Sequence, residues 1–286
     1  LENNNPDKIT HIQTLIIGAG MAGILTAYLL KQRGIEVVIV EAKSIGSGQT
    51  ENTTAKITSQ HDIFYSKLMR NTGYKRAKNY AKANEESIHI FEQIIRKEKI
   101  DCDFKKLPSY LYTCDKTKIQ KLQKEAEAAK GLGINAEYME GKNITELPFQ
   151  VEGAVCFKNQ AQFHPLKFVK HLAKDMTIYE NTKVLSVKGH TVVTDKGIIN
   201  ADKIVFACHY PFVNFPGFYF AKMYQQRSYV LALETEEKID GMYMYYNLRF
   251  TESNVELDSI NVTATRLTAL SKIGCPFIIF PQLFSS

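Results

Sequence analysis

Three glycines near the N-terminus have the spacing of a phosphate-binding turn. Gly18, Gly20 and Gly23 follow the short apolar run 15–17 in the pattern G-x-G-x-x-G. In such a turn the first glycine permits a sharp change of chain direction, the second lets the backbone approach a pyrophosphate, and the third lets the helix pack close to the strand. The N–H groups at the start of that helix also favour negative charge. The spacing therefore predicts a dinucleotide-binding site in preference to a plain strand-to-helix turn.

An acidic residue stands where the ribose of a dinucleotide would need it. Glu41 follows the second apolar run, residues 37–40. A carboxylate at the end of that strand can accept hydrogen bonds from ribose hydroxyls, and it repels a 2′-phosphate. A strand, a tight turn, a helix and a second strand must bring Glu41 beside the glycines. Residues 14–41 have the apolar pattern of those four elements.

The next segment, residues 46–61, is rich in small and hydroxyl-bearing residues. It leaves the carboxyl end of the second predicted strand, which is the edge where parallel sheets bind ligands. We expect the backbone N–H groups from Gly46 to Gly48 and the hydroxyls of Thr53 and Thr54 to continue the phosphate and ring contacts. A solvent-exposed loop of glycine, serine and threonine is the alternative interpretation.

The composition argues against several classes of protein. The 286 residues contain no run that approaches the ~20 apolar residues of a membrane span. Residues 1–7 lack a secretory signal pattern, so we expect a cytoplasmic protein with a short leader. The net charge of +6 comes mostly from lysines spread over helices, which favours solvated faces over nucleic-acid binding. The five cysteines are far apart and form no C-x-x-C, so no metal site is predicted.

Apolar periodicity and turn residues predict the remaining elements. Helices are predicted at residues 62–98, with a break at 71–73, at 116–130, and after Pro165. Strands are predicted at residues 103–113, 153–157, 161–163, 178–187, 191–194, 197–199 and 202–207. The last four are interpreted as a three-stranded meander followed by one returning strand.

This combination resembles a known family. The glycine unit with Glu41, the segment 46–61, the meander with Val184 and the return strand 205–211 are together similar to the FAD-dependent oxidoreductases of the D-amino-acid oxidase and glycine oxidase superfamily. Two segments are most similar to a bacterial branch of this superfamily: Asn-Thr-Thr-Ala-Lys-Ile-Thr-Ser-Gln-His at 52–61 and Gln-Arg-Ser-Tyr-Val at 226–230. Members of that branch often carry a C-terminal Rieske iron–sulfur domain. The resemblance covers roughly residues 12–240.

The resemblance implies an α/β fold with two domains. A Rossmann-like FAD-binding domain, made of a βαβ unit, a β-meander and a return strand, would comprise residues 10–99 and 164–215. An inserted mixed α+β substrate domain would comprise residues 100–163 and 216–286, with its C-terminal part incomplete. By the same resemblance the FAD-binding residues are Gly18, Gly20 and Gly23 at the pyrophosphate, Glu41 at the ribose, Val184 at the adenine, Ala207 closing the site, and Gly48, Thr53 and Thr54 toward the flavin.

The chemistry implied is hydride transfer from a small amine, amino acid or related donor to N5 of FAD. Lys56, placed near the flavin ring, and Arg227, placed near a substrate carboxylate, are the cations considered for catalysis. A structural ion pair is the alternative for each. His61 and His209 are further candidates for proton transfer, but a structural role is favoured for both. The substrate is expected to be a small molecule, and the electron acceptor stays open.

Two other interpretations remain open. Nothing after Met244 supplies the closing strand and glycine turn of the family, and the adjacent Cys208 and His209 do not form a Rieske ligand pattern. The chain could therefore be a truncated, non-catalytic relative that binds FAD weakly, and we expect residues beyond about Tyr245 to be poorly packed. An NAD-binding dehydrogenase is the third interpretation, which the absence of further βαβ repeats weakens.

Overall fold

The computed structural model describes residues 11–210, 212–213, 217–223 and 240–246. In chain order the elements are β1 (Ile12–Ile17), α1 (Met21–Lys31), β2 (Val37–Val40), β3 (Lys56–Ile57), α2 (Tyr65–Thr72), α3 (Tyr74–Lys97), β4 (Lys105–Thr113), α4 (Ile119–Gly131), β5 (Ala136–Glu140), β6 (Gly153–Gln162), α5 (Pro165–Leu172), β7 (Thr177–Tyr179), β8 (Val184–Lys188), β9 (Thr191–Thr194), β10 (Gly197–Phe206), α6 (Tyr219–Lys222) and β11 (Met242–Tyr245).

The chain divides into two compact units. Unit 1 comprises Leu1–Thr53, Ile95–Cys102 and His164–Tyr229. Unit 2 comprises Thr54–Ile94, Asp103–Phe163 and Val230–Ser286. This division differs from the predicted domains mainly at residues 54–94, which the sequence analysis grouped with the glycine turn.

Unit 1 is built on a six-stranded sheet in the order β7-β2-β1-β10-β9-β8. Strands β7, β2 and β1 are parallel to one another, with Ile39 of β2 opposite both Ile16 and Ile178. The apolar runs of β1 and β2 are buried because helices of α/β proteins cover both faces of parallel strands. The βαβ unit predicted from the glycine spacing is therefore present, and the α/β fold class is confirmed.

Strand β10 is one continuous strand where two strands, 197–199 and 202–207, were predicted. Its first residues, from Gly197 to Asn200, pair antiparallel with β9, and Ala201 onward pairs parallel with β1. The predicted break between 197–199 and 202–207 is wrong because no residue between them forms a turn. One continuous strand thus joins the β8-β9-β10 meander directly to the parallel part of the sheet.

Unit 2 contains a five-stranded sheet. The order is β11-β4-β6-β3, and β5 pairs with the first half of β6. The ten-residue strand β6 is central because it pairs with β3, β4 and β5. The predicted strands 153–157 and 161–163 are parts of this one element. Strands β5 and β11 were not predicted.

Helices α2, α3 and α4 pack against this sheet. Tyr65, Ala77 and Leu122 from the three helices form one buried cluster with Leu111 of β4 and Phe157 of β6. This packing explains why residues 54–94 group with unit 2. The predicted helix break is confirmed, since α2 ends before Gly73, whose φ of 80° suits glycine.

A buried carboxylate from another helix caps the N-terminus of α2. The side chain of Glu125 in α4 is fully buried and accepts hydrogen bonds from the backbone N–H groups of Phe64, Tyr65 and Ser66 at 2.6–2.9 Å. These are amides of a helix N-terminus, which have no partner within their own helix. Glu125 therefore stabilises the start of α2 and attaches it to α4.

We expect Glu125→Gln to lower the free energy of unfolding by about 2 kcal/mol or more, because a charge-assisted acceptor of three N–H groups is lost. Urea denaturation followed by circular dichroism measures this loss. Glu127→Gln, an exposed residue of the same helix, is the control and should change stability by less than about 0.5 kcal/mol. Equal stability of the two variants would show that the cap contributes little.

Two predictions cannot be compared with the structure. Arg227 and the tail beyond residue 246 lie outside the described residues. Within the described ranges, none of the helices has the length and apolar character that a bilayer crossing needs.

Candidate functional site

The turn between β1 and α1 brings three backbone segments into close contact. Gly18 has a φ of 109°, and a β-carbon on it would lie 2.7 Å from the carbonyl oxygen of Ala207. A β-carbon on Gly23 would lie 1.9 Å from the carbonyl oxygen of Gly18. Both distances are too short for a contact between a β-carbon and a carbonyl oxygen, so the geometry requires glycine at both positions. Ala207 also donates its N–H to the Ile17 carbonyl at 2.8 Å, which attaches the end of β10 to the turn.

Helix α1 begins directly after the glycine turn. Gly20 is the N-cap residue and has no side chain to accept a bond from the helix. The hydroxyl of Thr50 takes that role and accepts the N–H of Met21 at 3.0 Å. The amides of Ala22 and Gly23 donate to no acceptor in the part of the chain that the structure describes. A helix start with unused N–H groups is suited to bind a phosphate.

Glu41 lies beside this turn. Its Oε2 accepts the N–H of Ala19 at 2.8 Å, and its Oε1 accepts the N–H of Lys43 at 2.9 Å. The backbone of Glu41 is held between Tyr179 and Thr182 by bonds of 2.9 and 2.8 Å. The carboxylate is thus fixed at the carboxyl end of β2, and it retains lone pairs for further donors.

The loop after β2 contacts the turn through Gly46, which lies in the predicted stretch 46–48, and through Thr50, which was not predicted. Gly46 donates its N–H to the Ala19 carbonyl at 3.1 Å. A β-carbon on Gly48 would meet no atom within 4 Å. Thr53 is exposed and Thr54 is half-buried, and the hydroxyl that contacts α1 belongs to Thr50. Thr50 was missed because the sequence offers several hydroxyls in one loop and no signal that separates them.

The other candidates occupy varied environments. Val184 begins β8 and is buried in one core cluster with Val40 and Tyr179. His209 follows β10, is exposed, and has a φ of 64°. His61 is exposed, with its Nε2 3.3 Å from the Asn84 amide oxygen, which is consistent with the structural role that was favoured for it.

Lys56 lies in unit 2, on β3. Its side chain is partly buried, and its Nζ is shielded from solvent. Burial lowers the pKa of Lys56 to about 8 from its usual value of 10.5. Desolvation disfavours the charged form of a lysine, so the Lys56 ammonium loses its proton at mildly alkaline pH.

The residues of unit 1 fit a dinucleotide. Gly20 has no side chain at the helix start, the amides of Ala22 and Gly23 have no acceptor among the described residues, and Glu41 lies at the neighbouring strand end. Groups of three or more histidine, cysteine, aspartate or glutamate side chains that could hold a metal ion are absent from the described residues.

A family model described as FAD dependent oxidoreductase (DAO) matches residues 13–258. The match covers more than half of the chain, and the chain therefore belongs to this family of FAD-dependent oxidoreductases. The resemblance inferred from the sequence and the expected FAD cofactor are confirmed at the level of the family.

Relatives and solved structures agree with this assignment. YhfW of Bacillus subtilis strain 168, whose name is that of a Rieske 2Fe-2S iron–sulfur protein, is 37% identical over 262 residues, which cover 86% of this chain and 51% of YhfW. The L-proline dehydrogenase of P. horikoshii has a TM-score of 0.64 at 17% identity, over 83% of this chain and 65% of that one. The glycine oxidase of Geobacillus kaustophilus has a TM-score of 0.57 at 18% identity, over 69% and 55%. The chain thus spans about half the length of YhfW.

Burial of the Lys56 charge has a consequence for stability. The pKa of Lys56 is lower in the folded state than in the unfolded state, so unfolding takes up a proton between about pH 8 and pH 10.5. The charged lysine therefore destabilises the fold at neutral pH, and stability rises as pH increases through that window. The maximal effect is about 3 kcal/mol, because one pKa unit corresponds to about 1.4 kcal/mol.

We expect Lys56→Met to unfold at higher urea concentration than the wild type at pH 7, and this advantage should shrink near pH 10. Lys105→Met, at an exposed lysine on β4, is the matched control and should not show the same change with pH. A Lys56→Met variant less stable than the wild type at pH 7 would mean that the ammonium contributes favourably to the fold.

Proposed function

We propose that the chain binds FAD in unit 1 and takes part in the oxidation of a small amine or amino acid. The observation that carries this proposal is the joint geometry of the turn, in which Gly20, the start of α1 and the Glu41 carboxylate lie together at the end of β1. Family membership supports the cofactor. The names of the proline dehydrogenase and glycine oxidase neighbours support the substrate class, although their likeness to this chain lies in the fold alone.

Each residue has a role that follows from its position. Gly18 and Gly23 allow the turn, and Gly20 leaves room for the pyrophosphate. The amides of Ala22 and Gly23 would donate to its oxygens, with the positive end of the helix dipole behind them. Thr50 fixes the loop against the helix start. Bound FAD would supply the acceptor for a hydride.

Glu41 would select the nucleotide. Its carboxylate is held in one orientation by the N–H groups of Ala19 and Lys43. Ribose hydroxyls would donate to its remaining lone pairs. A carboxylate also repels a 2′-phosphate, which favours FAD or NAD over NADP. The family favours FAD between the first two.

The direct test is the visible absorbance spectrum of the purified protein. A flavin spectrum that survives gel filtration supports the proposal. A protein that is colourless and stays so after incubation with FAD favours the alternative of a non-catalytic relative. Calorimetric titration with NAD tests the dehydrogenase alternative. The proposal predicts that NAD does not bind in that experiment.

Replacement of Gly20 by valine should remove bound FAD while leaving the fold largely intact. A β-carbon there would lie 3.3 Å from the Thr50 hydroxyl, and the larger side chain would occupy the position proposed for the pyrophosphate. We expect a loss of FAD affinity of about 100-fold or more, which corresponds to about 3 kcal/mol. The measurement is flavin content per protein, with circular dichroism as a check on folding. Gly131→Val, where a β-carbon meets no atom within 4 Å, is the control. Full flavin content in Gly20→Val would place the pyrophosphate elsewhere.

Removal of the carboxylate in Glu41→Ala should weaken FAD binding by about 10- to 100-fold, because hydrogen bonds to a charged group contribute about 1.5–3 kcal/mol. Quenching of flavin fluorescence on binding measures the affinity. Glu51→Ala, at an exposed glutamate of the following loop, should leave it unchanged. Equal affinities for the two variants would show that Glu41 serves only to hold the turn.

A further inference from the structure

One segment of unit 2 carries charge of a single sign. Residues 63–84 contain six lysine and arginine residues and no aspartate or glutamate. The six are Lys67, Arg70, Lys75, Arg76, Lys78 and Lys82. The rest of the chain contains 30 basic and 30 acidic residues, so this segment alone accounts for the net charge of +6. The excess charge is therefore concentrated in one segment, and a concentration of this kind favours an anionic partner.

The six side chains are exposed on helices α2 and α3. In α3, Lys75, Lys78 and Lys82 follow one another at intervals of three and four residues, so they form a stripe along one side of the helix. Ala77 and Ala81 of the same helix are buried in the cluster that packs against the sheet. The stripe therefore lies on the solvent side of α3.

Helix α2 adds two cations beside this stripe. Its buried residue is Tyr65, whereas Lys67 and Arg70 are exposed. The ring of Tyr65 lies 6.3 Å from the ring of Tyr80 in α3, and both helices contribute to the same buried cluster. Helices α2 and α3 are thus neighbours, and their cations belong to one surface.

Five of the six cations have no acidic partner among the described residues, since only Lys82 forms an ion pair there, with Glu86 at 3.5 Å. The Lys78 ammonium instead lies 5.5 Å from the centre of the Tyr74 ring. Like charges without counterions repel one another, and an anionic surface relieves that repulsion. We call the five residues the basic surface: Lys67, Arg70, Lys75, Arg76 and Lys78.

We propose that the basic surface of unit 2 docks on a membrane that contains anionic lipids. Clusters of about four to eight lysine and arginine residues on helices are attracted to negatively charged lipid headgroups. Tyr74 and Tyr80 are 51% and 39% exposed within the same segment, and tyrosine rings are favoured at the headgroup level of a bilayer. The docking is peripheral, and it is independent of the proposed FAD site.

The composition of the basic surface favours lipid over an acidic protein. Three of its five residues are lysines. Lysine is depleted at protein–protein interfaces, where a long side chain must be fixed in one geometry to contribute. Mobile headgroups attract a cation without fixing it. Double-stranded DNA is the other polyanion that attracts lysine, but the two exposed tyrosines favour the lipid interface.

The test is co-sedimentation of the purified full chain with vesicles. One set contains phosphatidylcholine alone, and the other contains equal parts of phosphatidylcholine and phosphatidylglycerol. We expect binding only to the anionic vesicles, with release at high salt because salt screens the attraction. The double variant Lys75→Glu, Lys78→Glu should bind the anionic vesicles about tenfold or more weakly, because each cation near the lipid contributes to the attraction.

The matched control is Lys188→Glu, Lys203→Glu, which makes the same change of charge at exposed lysines on β8 and β10 of unit 1. It should stay within about threefold of the wild type, because salt screens charges that lie away from the contact. Misfolding of the α3 variant is not expected, since acidic residues are favourable near the start of a helix. Circular dichroism checks this.

Several results would overturn the proposal: no binding to anionic vesicles, equal binding to neutral vesicles, or an equal loss in the α3 variant and the control. Tighter binding to double-stranded DNA than to the anionic vesicles would also reject lipid as the partner. Flavin content is measured on the same samples. A colourless protein that binds the anionic vesicles would reject the FAD proposal alone, whereas a yellow protein that does not bind them would reject this inference alone.

Discussion

Unit 1 depends on the close approach of three backbone segments at the end of β1. The turn at Gly18 touches the carbonyl of Ala207, and the first turn of α1 touches the carbonyl of Gly18 through Gly23. No side chain fits at either contact, so the glycine spacing is a packing requirement before any ligand is considered. The same approach places the start of α1 at the carboxyl edge of the sheet. An anion-binding position therefore follows directly from how the helix packs.

The chain after β2 holds this turn in place. Glu41, Gly46 and Thr50 contact Ala19 or Met21 through three hydrogen bonds from positions distant in sequence. These bonds join the loop to the turn, so they limit the conformations that the loop can adopt beside the start of α1.

The parts that could be predicted from the sequence are those specified by local signals. Glycine spacing, the acid after an apolar strand and the break at Gly73 each depend on a few neighbouring residues. The identity of Thr50 as the contacting hydroxyl depends on the path of the whole loop, so it could not be distinguished from Thr53 or Thr54. The continuity of β10 depends on its two partner strands. Likewise, the grouping of residues 54–94 with unit 2 comes from packing of Tyr65 and its neighbours against β4 and β6.

Unit 2 buries two charges in different ways. The Glu125 carboxylate receives three backbone N–H groups, so its burial is explained by the start of α2 that it stabilises. Burial of the Lys56 ammonium instead lowers its pKa and destabilises the folded chain at neutral pH. The two groups show that a buried ionic side chain is accommodated in this unit either by backbone N–H donors or with a shifted pKa.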